Sequence, residues 1–194
     1  MASEIVLTEI PLMRTPRLWL RPFAPEDVYP VFDLYSSPRV MSYNVFPPFT
    51  RIEEASELLD FHAVLFATQR GIRWAITRPE DQELIGTCGY HNWRQRCREA
   101  ELSYELSPDY WGRGLMSEAL SSVIDFGLRE MNLTCIRAKV MRQNTASIRL
   151  LEKFGFRPAE GVNATELQIQ QGREVCWYEL KVPAGADSAV TLRV

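Results

Sequence analysis

The stretch from residue 99 to residue 140 constrains the fold more than any other part of the sequence. Glu99–Leu106 alternates polar and apolar side chains, as a β-strand with one buried face does. Apolar residues then recur every three or four positions from Ala119 to Met131, and Cys135–Val140 alternates again. A strand, a long helix and a second strand make a βαβ unit, which predicts a parallel strand pair with a right-handed crossover.

Three earlier segments also have the patterns of strands. They are Arg17–Arg21, Ile72–Thr77 and Leu84–Tyr90. Gly86 and Gly89, within the last segment, predict a bulge or a close approach of another backbone. Predicted strands and predicted helices therefore alternate along the chain, which indicates an α/β fold.

Two helices are predicted before Ile72. The first opens at Pro25, where acidic residues suit the positive end of the helix dipole, and Pro30 should kink it or cut it short. The second begins at Thr50, which forms a capping box with Glu53. The loop between these helices is rich in proline.

The C-terminal part predicts one more pair of strands. Residues 164–182 read as a hairpin that turns near Gln171–Gly172. The tail from Pro183 is small, polar and without periodicity, so we expect it to be frayed.

Length and charge exclude several classes of protein. The chain has 194 residues, enough for about one domain, and it contains no apolar run near 18 residues that would predict a transmembrane helix. Its N-terminus lacks the basic and apolar regions of a secretory signal. With 22 basic and 25 acidic residues, it argues against a large nucleic-acid interface. We expect a cytoplasmic protein.

The cysteines and histidines do not predict a metal site. The four cysteines are Cys88, Cys97, Cys135 and Cys176. None forms a C-x-x-C pair, and His62 and His91 are far apart, so the ligand spacing of a structural zinc site is missing. We expect free and mostly buried thiols in a reducing compartment, with His62 packed on the apolar side of its helix.

Two glycines precede the long helix in the segment Tyr110–Glu118. Gly112 and Gly114 let the backbone approach a ligand and turn its amides outward, and Arg113 adds positive charge. Amides at a helix N-terminus suit a pyrophosphate, although a tight turn without a ligand explains the same glycines. The loop lacks the G-K-[ST] of a Walker loop and the third glycine of the Rossmann fingerprint.

A second motif lies further along the chain. Asn144 caps a helix predicted over Thr145–Phe154, and Gly155 stops it. Ser147, on the first turn, has no role in this capping, so its hydroxyl is available for another one.

Four segments carry a resemblance to a known family. They are Thr15–Leu18 with Leu20–Pro22, Glu83–Gly86, Ser107–Gly114 with Ser117–Ala119, and Asn144–Phe156. Together they resemble the GNAT N-acetyltransferase superfamily, and within it the ribosomal-protein-alanine acetyltransferases (RimJ/RimL-like). The last two segments are specific as a pair. The likeness covers about residues 15–182, so we expect a single N-acetyltransferase domain over residues 1–194 with a tail at 183–194.

The resemblance implies a fold and a cosubstrate. A mixed central β-sheet, with helices on both faces, would splay open between the parallel strands Glu99–Leu106 and Cys135–Val140. The pantetheine arm of acetyl-CoA would lie in this opening, and its pyrophosphate would rest on the amides of Gly112 to Ser117. No metal is implied.

The resemblance also implies which residues contact the cosubstrate. They are Leu106, Trp111, Gly112, Arg113, Gly114, Leu115, Met116, Ser117 and Asn144. Trp111 stands where the superfamily prefers Gln or Arg, but it is common in this branch. Met116 replaces a small residue, which amide binding tolerates if its side chain points away.

The implied catalytic residues are Glu101, Glu105 and Ser147. Glu101 matches a frequent position for the carboxylate that takes the proton of the amine, directly or through water. Glu105 departs from the branch and is either a second candidate or a residue that reads the substrate; both glutamates could also be solvated. Ser147 matches the position proposed to protonate the leaving thiolate, while Tyr104 is the alternative acid, on the opposite face of its strand.

The amine acceptor is predicted only by class. The acidic residues Glu99, Glu101, Glu105 and Asp109 suit a cationic amine. A protein N-terminal α-amine fits, and so does a small-molecule amine such as a polyamine, an amino acid or an aminoglycoside. Residues 36–49 should form a lip over the acceptor side. The C-terminal hairpin should form the other wall, with Trp177 in the core.

Two other functions are compatible with some of these motifs. A non-catalytic acyl-CoA-binding module would keep the glycine loop and lose the acid–base residues, whereas this chain retains Glu101, Asn144 and Ser147. A toxin that acetylates aminoacyl-tRNA should have a broad basic surface, which the net charge of −3 opposes. The family resemblance allows a homodimer, although no sequence feature points to one.

Overall fold

The computed structural model describes residues 4–44, 46–159, 168–170 and 173–182. These residues form one mixed sheet with helices on both faces. The helices are α1 (Val28–Ser36), α2 (Pro38–Met41), α3 (Ile52–Ala67), α4 (Leu115–Arg129) and α5 (Thr145–Lys153), with short 3-10 helices at Pro25–Asp27, Gln95–Cys97 and Pro108–Tyr110. The strands are β1 (Met13–Arg14), β2 (Trp19–Arg21), β3 (Ile72–Thr77), β4 (Leu84–Arg94), β5 (Glu99–Leu106), β6 (Cys135–Met141), β7 (Arg157–Pro158), β8 (Gln168–Gln170) and β9 (Arg173–Lys181).

The sheet order is β1-β2-β3-β4-β5-β6-β9-β7, and β8 pairs with β9. The β5–β6 pair is parallel, while the other described pairs are antiparallel. Pairing between β5 and β6 runs from Glu99 opposite Cys135 to Leu102 opposite Ala138 and ends there, although both strands continue. The sheet therefore splays open beyond Leu102, and the expected GNAT-like fold is confirmed.

Each face of the sheet has its own apolar core. On one face, α4 and α5 pack against strand residues such as Trp74, Leu102 and Ile136. On the other face, α1, α2 and α3 pack around Ala75 and Leu84. Alternation along β5 consequently directs successive side chains to two different chemical environments.

Two predictions about helix starts were wrong. Pro30 is the third residue of α1 and leaves it continuous, because first-turn amides have no intrahelical acceptor to lose. At α3 the carboxylate that caps the helix belongs to Glu54 rather than Glu53. Glu54 Oε2 accepts from the backbone N–H groups of Thr50 at 2.7 Å and Arg51 at 2.8 Å.

The predicted strands are mostly confirmed, and β3 and β5 have the predicted bounds. A Cβ atom on Gly86 or Gly89 would overlap the carbonyl oxygen of Glu105 or Ile72, which confirms the close approach of neighbouring backbones. β4 is longer than predicted, since it continues to Arg94.

The C-terminal hairpin is confirmed by its strands. β8 pairs with β9, with Gln170 opposite Arg173. The predicted turn at residues 171–172 and the tail from 183 lie outside the described residues. Trp177 is half-buried and outside both apolar cores, contrary to the prediction, because its register opposite Lys139 places it on the open face of the sheet.

The cysteines are free in the structure. Cys88 and Cys135 are buried and Cys176 is partly buried, but Cys97 is exposed because it lies in the 3-10 turn between β4 and β5. In the part of the chain that the structure describes, no helix has the length and apolar character needed to cross a membrane.

Candidate active site

The gap between β5 and β6 presents backbone groups. Ser107 N donates to Ile85 O at 2.7 Å, so odd-numbered residues of β5 bond toward β4. Because backbone groups alternate in direction along a strand, those of Tyr104 and Leu106 point into the gap. The carbonyl of Leu106 accepts a hydrogen bond from the Trp111 indole at 2.8 Å. The backbone N–H of Leu106 and the backbone N–H and C=O of Tyr104 therefore remain to face the gap.

The segment Tyr110–Glu118, which contains Gly112 and Gly114 and is called the glycine loop, presents a second set of backbone amides. Gly112 and Gly114 have φ angles of 73° and 75°, in the left-handed region that favours glycine. The first intrahelical bond of α4 is donated by Glu118 to Gly114 O at 3.0 Å, so the amides of the preceding residues lie outside the helical ladder. Leu115 and Met116 are buried in the core, which confirms that the bulky Met116 points away. A pyrophosphate fits this arrangement of exposed amides and helix dipole.

Charged side chains brace this loop. Glu118 accepts from Thr15 Oγ1 at 2.6 Å and from Arg17 Nε at 2.6 Å, and Arg17 also donates to Arg113 O at 3.0 Å. Burial raises the pKa of Glu118, but the hydrogen bonds from Thr15 and Arg17 outweigh it and the pKa is lowered. The N-terminal segment is thus tied to the loop.

Lys153 is a loop neighbour that sequence reasoning missed. Its Nζ donates to Ser117 Oγ at 2.9 Å, which places an ammonium beside the candidate anion site. Only the α4–α5 packing brings these residues together, so the sequence carried no signal. Arg17 lay within a segment that carried the resemblance, yet its role was not predicted. Arg113 instead places its guanidinium over the Tyr110 ring, at 5.5 Å.

The cap of α5 is confirmed. Asn144 Oδ1 accepts from Ser147 N at 3.1 Å, and Gly155 has a φ angle of 85° just beyond the helix. This bond fixes the first turn of α5 and therefore the position of Ser147.

Ser147 and Tyr104 meet on the α4–α5 face of the sheet. Their hydroxyl oxygens are 2.6 Å apart, so the two candidate acids share one hydrogen bond. Burial raises the pKa of Tyr104 to about 12, which keeps its hydroxyl protonated at neutral pH.

Glu101 lies on the opposite face and is held by two consecutive residues of β4. Its carboxylate accepts from Asn92 Nδ2 at 3.0 Å and lies 3.3 Å from His91 Nε2. Consecutive strand residues normally point to opposite faces. Here the register shifts between His91 and Arg94, and Asn92 adopts a φ angle of 50°, so both side chains reach Glu101. Burial raises the pKa of Glu101, but these hydrogen bonds outweigh it and the pKa is lowered.

Glu105, on the same face, is bound to a buried cation. Its Oε2 contacts the Arg73 guanidinium and accepts from Tyr35 OH at 2.8 Å, while Oε1 accepts from Asn44 Nδ2 at 3.3 Å. Only 5% of the Arg73 side chain is exposed. Sequence reasoning missed Arg73 because its strand, β3, is separated from β5 in sequence and joined to it only through β4.

Part of the predicted lip, residues 36–49, packs into the apolar core on this face. Phe49 stacks on Tyr35 with ring centroids 5.3 Å apart, whereas Tyr43 and Phe46 are exposed. Arg39, in α2, places its guanidinium 5.4 Å from the centroid of the Trp111 ring. The lip therefore reaches both Glu105, through Asn44, and the glycine loop.

The chain belongs to the GNAT acetyltransferase family. The family model described as acetyltransferase (GNAT) domain matches residues 17–157, most of the chain. The protein is a GNAT-type N-acetyltransferase, and coenzyme A is bound in solved structures with this fold.

Three similar proteins illustrate the range of the family. An uncharacterized N-acetyltransferase of Bacillus subtilis, YoaA, is 40% identical over 152 residues, which cover 78% of this chain and 85% of YoaA. The spermidine N(1)-acetyltransferase of Escherichia coli K12 is 30% identical over 137 residues, which cover 71% of each chain. The structure of RimL, a ribosomal L7/L12 alpha-N-protein acetyltransferase, in complex with coenzyme A has a TM-score of 0.77 and 17% identity, and it covers 89% of this chain and 98% of RimL.

Proposed function

We propose that this N-acetyltransferase moves an acetyl group from acetyl-CoA to a primary amine that carries a single positive charge. A protein N-terminal α-amine, as in the RimJ/RimL-like branch, and a small monoamine both meet this description. The observation that carries the proposal is the charge balance on the face of the sheet that bears Glu101.

Most carboxylates on this face have cationic partners. Glu99 contacts Arg94 and lies 3.7 Å from Arg137, and Glu105 contacts Arg73. Glu101 instead has an amide and an imidazole as its hydrogen-bonding neighbours. Among the described carboxylates of β5, it is the one without a guanidinium or ammonium group within 4 Å.

One carboxylate without a guanidinium or ammonium group within 4 Å suits one ammonium group. A polyamine would bring two or more charges to a surface whose other described carboxylates on β5 are already neutralised, so it would gain little from them. Because a spermidine N(1)-acetyltransferase is among the relatives, spermidine is the polyamine to test against a monoamine.

The arrangement divides the proton transfers between the two faces of β5. On one face, Glu101 accepts the proton of the ammonium, directly or through water, and leaves a nucleophilic amine. Acetyl-CoA supplies a thioester carbon, to which the amine nitrogen forms its bond as the C–S bond breaks. On the other face, the Ser147 hydroxyl gives a proton to the departing sulfur, Tyr104 OH, 2.6 Å away, replaces it, and water returns a proton to Tyr104. The nitrogen of the new amide loses its remaining extra proton to water.

The remaining residues position the cosubstrate and the lip. We assign the pyrophosphate to the amides from Gly112 to Ser117, with Lys153 as a nearby cation. Glu105 has a positioning role in this proposal, since it connects Arg73 to Asn44 of the lip. A cytoplasmic location is consistent with such a cosubstrate and with free cysteines.

The proposal is tested with amines that carry different numbers of positive charges. Thiol release from acetyl-CoA is followed with butylamine, with spermidine, and with one peptide whose N-terminus is either free or blocked. We expect kcat/KM for the free peptide or butylamine to exceed that for spermidine at least tenfold, and no release with the blocked peptide. A preference for spermidine would contradict the single-charge proposal.

A charge variant sharpens this test. Arg137→Gln removes a cation near Glu99 and Glu179, so it should raise kcat/KM for spermidine several-fold and leave butylamine unchanged. Arg129→Gln, at the exposed end of α4, is the matched control. Binding of acetyl-CoA without thiol release for any amine would favour the non-catalytic module.

A further inference from the structure

The hydrogen bonds around Glu101 form a directed chain that begins at Arg73. Arg73 Nη1 donates to Ser103 Oγ at 2.8 Å, because a guanidinium has no acceptor. Ser103 Oγ lies 3.4 Å from His91 Nδ1, and His91 Nε2 lies 3.3 Å from a Glu101 oxygen. The chain thus crosses three strands and ends at the proposed proton acceptor.

Donor and acceptor rules decide where the protons lie in this chain. An ionised carboxylate only accepts, so His91 Nε2 must carry a proton to bond with Glu101. Nδ1 of a neutral imidazole is then an acceptor. The Ser103 hydroxyl, which accepts from Arg73, keeps its own proton for Nδ1. Every group in the chain is satisfied by one arrangement of protons.

We propose that His91 is a positioning residue for Glu101, held in its Nε2–H tautomer by Ser103 and Arg73. The bulge in β4 supports this assignment, since it brings His91 and Asn92 onto the same carboxylate, one on each oxygen. Two fixed donors orient the carboxylate, which still has lone pairs for the amine proton. The inference rests on the proposed function for its consequence in catalysis.

The charged and titratable groups around His91 come from every neighbouring element. Glu101 faces it from β5, and Arg73, from β3, is connected to it through Ser103. His62, from α3, is kept neutral because burial, first, and then Arg73 and His91 lower its pKa to about 2. Lys139, from β6, acts on Glu101 by helping to lower its pKa. None of these groups competes with Ser103 for Nδ1 among the described hydrogen bonds.

The tautomer can be measured directly in the apoprotein. The chain has two histidines, so long-range ¹H–¹⁵N spectra of the wild type and His91→Gln assign the His91 ring. We expect the Nε2–H tautomer at pH 8 in the wild type and a mixture of tautomers in Ser103→Ala. An Nδ1–H tautomer or a doubly protonated ring at pH 8 would overturn the inference.

Kinetics then test the consequence. His91→Leu removes the donor to Glu101 and should lower kcat about tenfold, with KM for acetyl-CoA unchanged, because a misplaced catalytic group costs up to about 100-fold. His91→Gln retains an N–H donor and should recover most of this loss. A kcat within twofold of wild type in His91→Leu would overturn the positioning role. Because the spectra need no turnover, absence of thiol release in the wild type would reject the proposed function separately.

Discussion

Glu101 and Glu105 differ in their partners rather than in the face of the sheet they occupy. Alternation along β5 predicted that both lie on the same side, and the structure confirms it. Their partners could not be predicted, because they come from a bulge in β4 and from a strand two positions away in the sheet. A pattern of period two gives the face of a side chain but not its neighbours.

The contact between Glu105 and Arg73 predicts a large effect on stability. Glu105→Gln leaves the buried Arg73 guanidinium without a carboxylate, so the free energy of unfolding should fall by about 3 kcal/mol. Glu99→Gln is a matched control on the same strand, whose partner Arg94 is exposed, and it should cost less than about 1 kcal/mol. Urea denaturation measures both, and equal losses would contradict the structural role of Glu105.

The hydrogen bond between Ser147 and Tyr104 predicts that they act as one unit. Ser147→Ala should lower kcat about tenfold, because water remains as a weak acid for the departing thiolate. Tyr104→Phe should have a smaller effect, and the double variant should match Ser147→Ala. Steady-state kinetics of the three variants show whether Ser147 and Tyr104 act as one unit. A double variant much slower than Ser147→Ala would make Tyr104 an independent acid.

At the scale of elements, the βαβ unit and the start of α5 were predictable, whereas the starts of α1 and α3 were not. The strands and helix of the βαβ unit carry long periodic patterns, whereas the start of α3 depends on which of two adjacent glutamates turns back to the backbone. The splay between β5 and β6 was implied by the family resemblance alone. No local pattern marks the residue at which pairing ends.

The glycine loop before α4 predicts a specific effect on cosubstrate binding. Gly112 has a positive φ angle, and a Cβ atom at this position would meet open space, so Gly112→Ala introduces backbone strain without a clash. Left-handed backbone costs an alanine about 1–2 kcal/mol, which should weaken acetyl-CoA binding about 5- to 30-fold with little change in kcat.

Gly155→Ala provides the control for this loop. Gly155 has a similar φ angle of 85° but lies at the end of α5. The Gly155→Ala variant should be less stable than the wild type, while its Kd for acetyl-CoA, measured by calorimetry, should be unchanged. Equal weakening in both variants would contradict an anion site at the α4 N-terminus.

At the scale of the whole molecule, stability should decrease in mild acid because of His62. Its pKa is lowered from 6.5 to about 2, mainly by burial. The unfolded chain therefore binds a proton below pH 6.5 that the folded chain does not, and stability falls by up to about 1.4 kcal/mol per pH unit.

Replacing this residue tests the sign of the effect. His62→Phe preserves the stacking on Phe23 and removes the titration. The difference in unfolding free energy between pH 7 and pH 5 should shrink by about 1–2 kcal/mol relative to wild type. An unchanged pH dependence would show that His62 has the same pKa in the folded and the unfolded chain, which would contradict the effect of burial.

The whole molecule also shows how far the sequence leads toward function. The glycine loop and the Asn144 helix were enough to recognise the family, because both motifs are local. The amine acceptor depends on which carboxylates remain without a cation. That balance arises from contacts among β3, β4, β5, β6 and β9, which only the folded chain brings together.

The most direct test of the account is the mass of a peptide incubated with acetyl-CoA and either the wild-type protein or Glu101→Gln. With wild type, we predict a single acetyl group on a free N-terminus and one thiol released per acetyl transferred. Glu101→Gln should lower the rate about 100-fold. A peptide and butylamine that both stay unmodified while spermidine is acetylated, or a Glu101→Gln rate equal to that of wild type, would contradict the account.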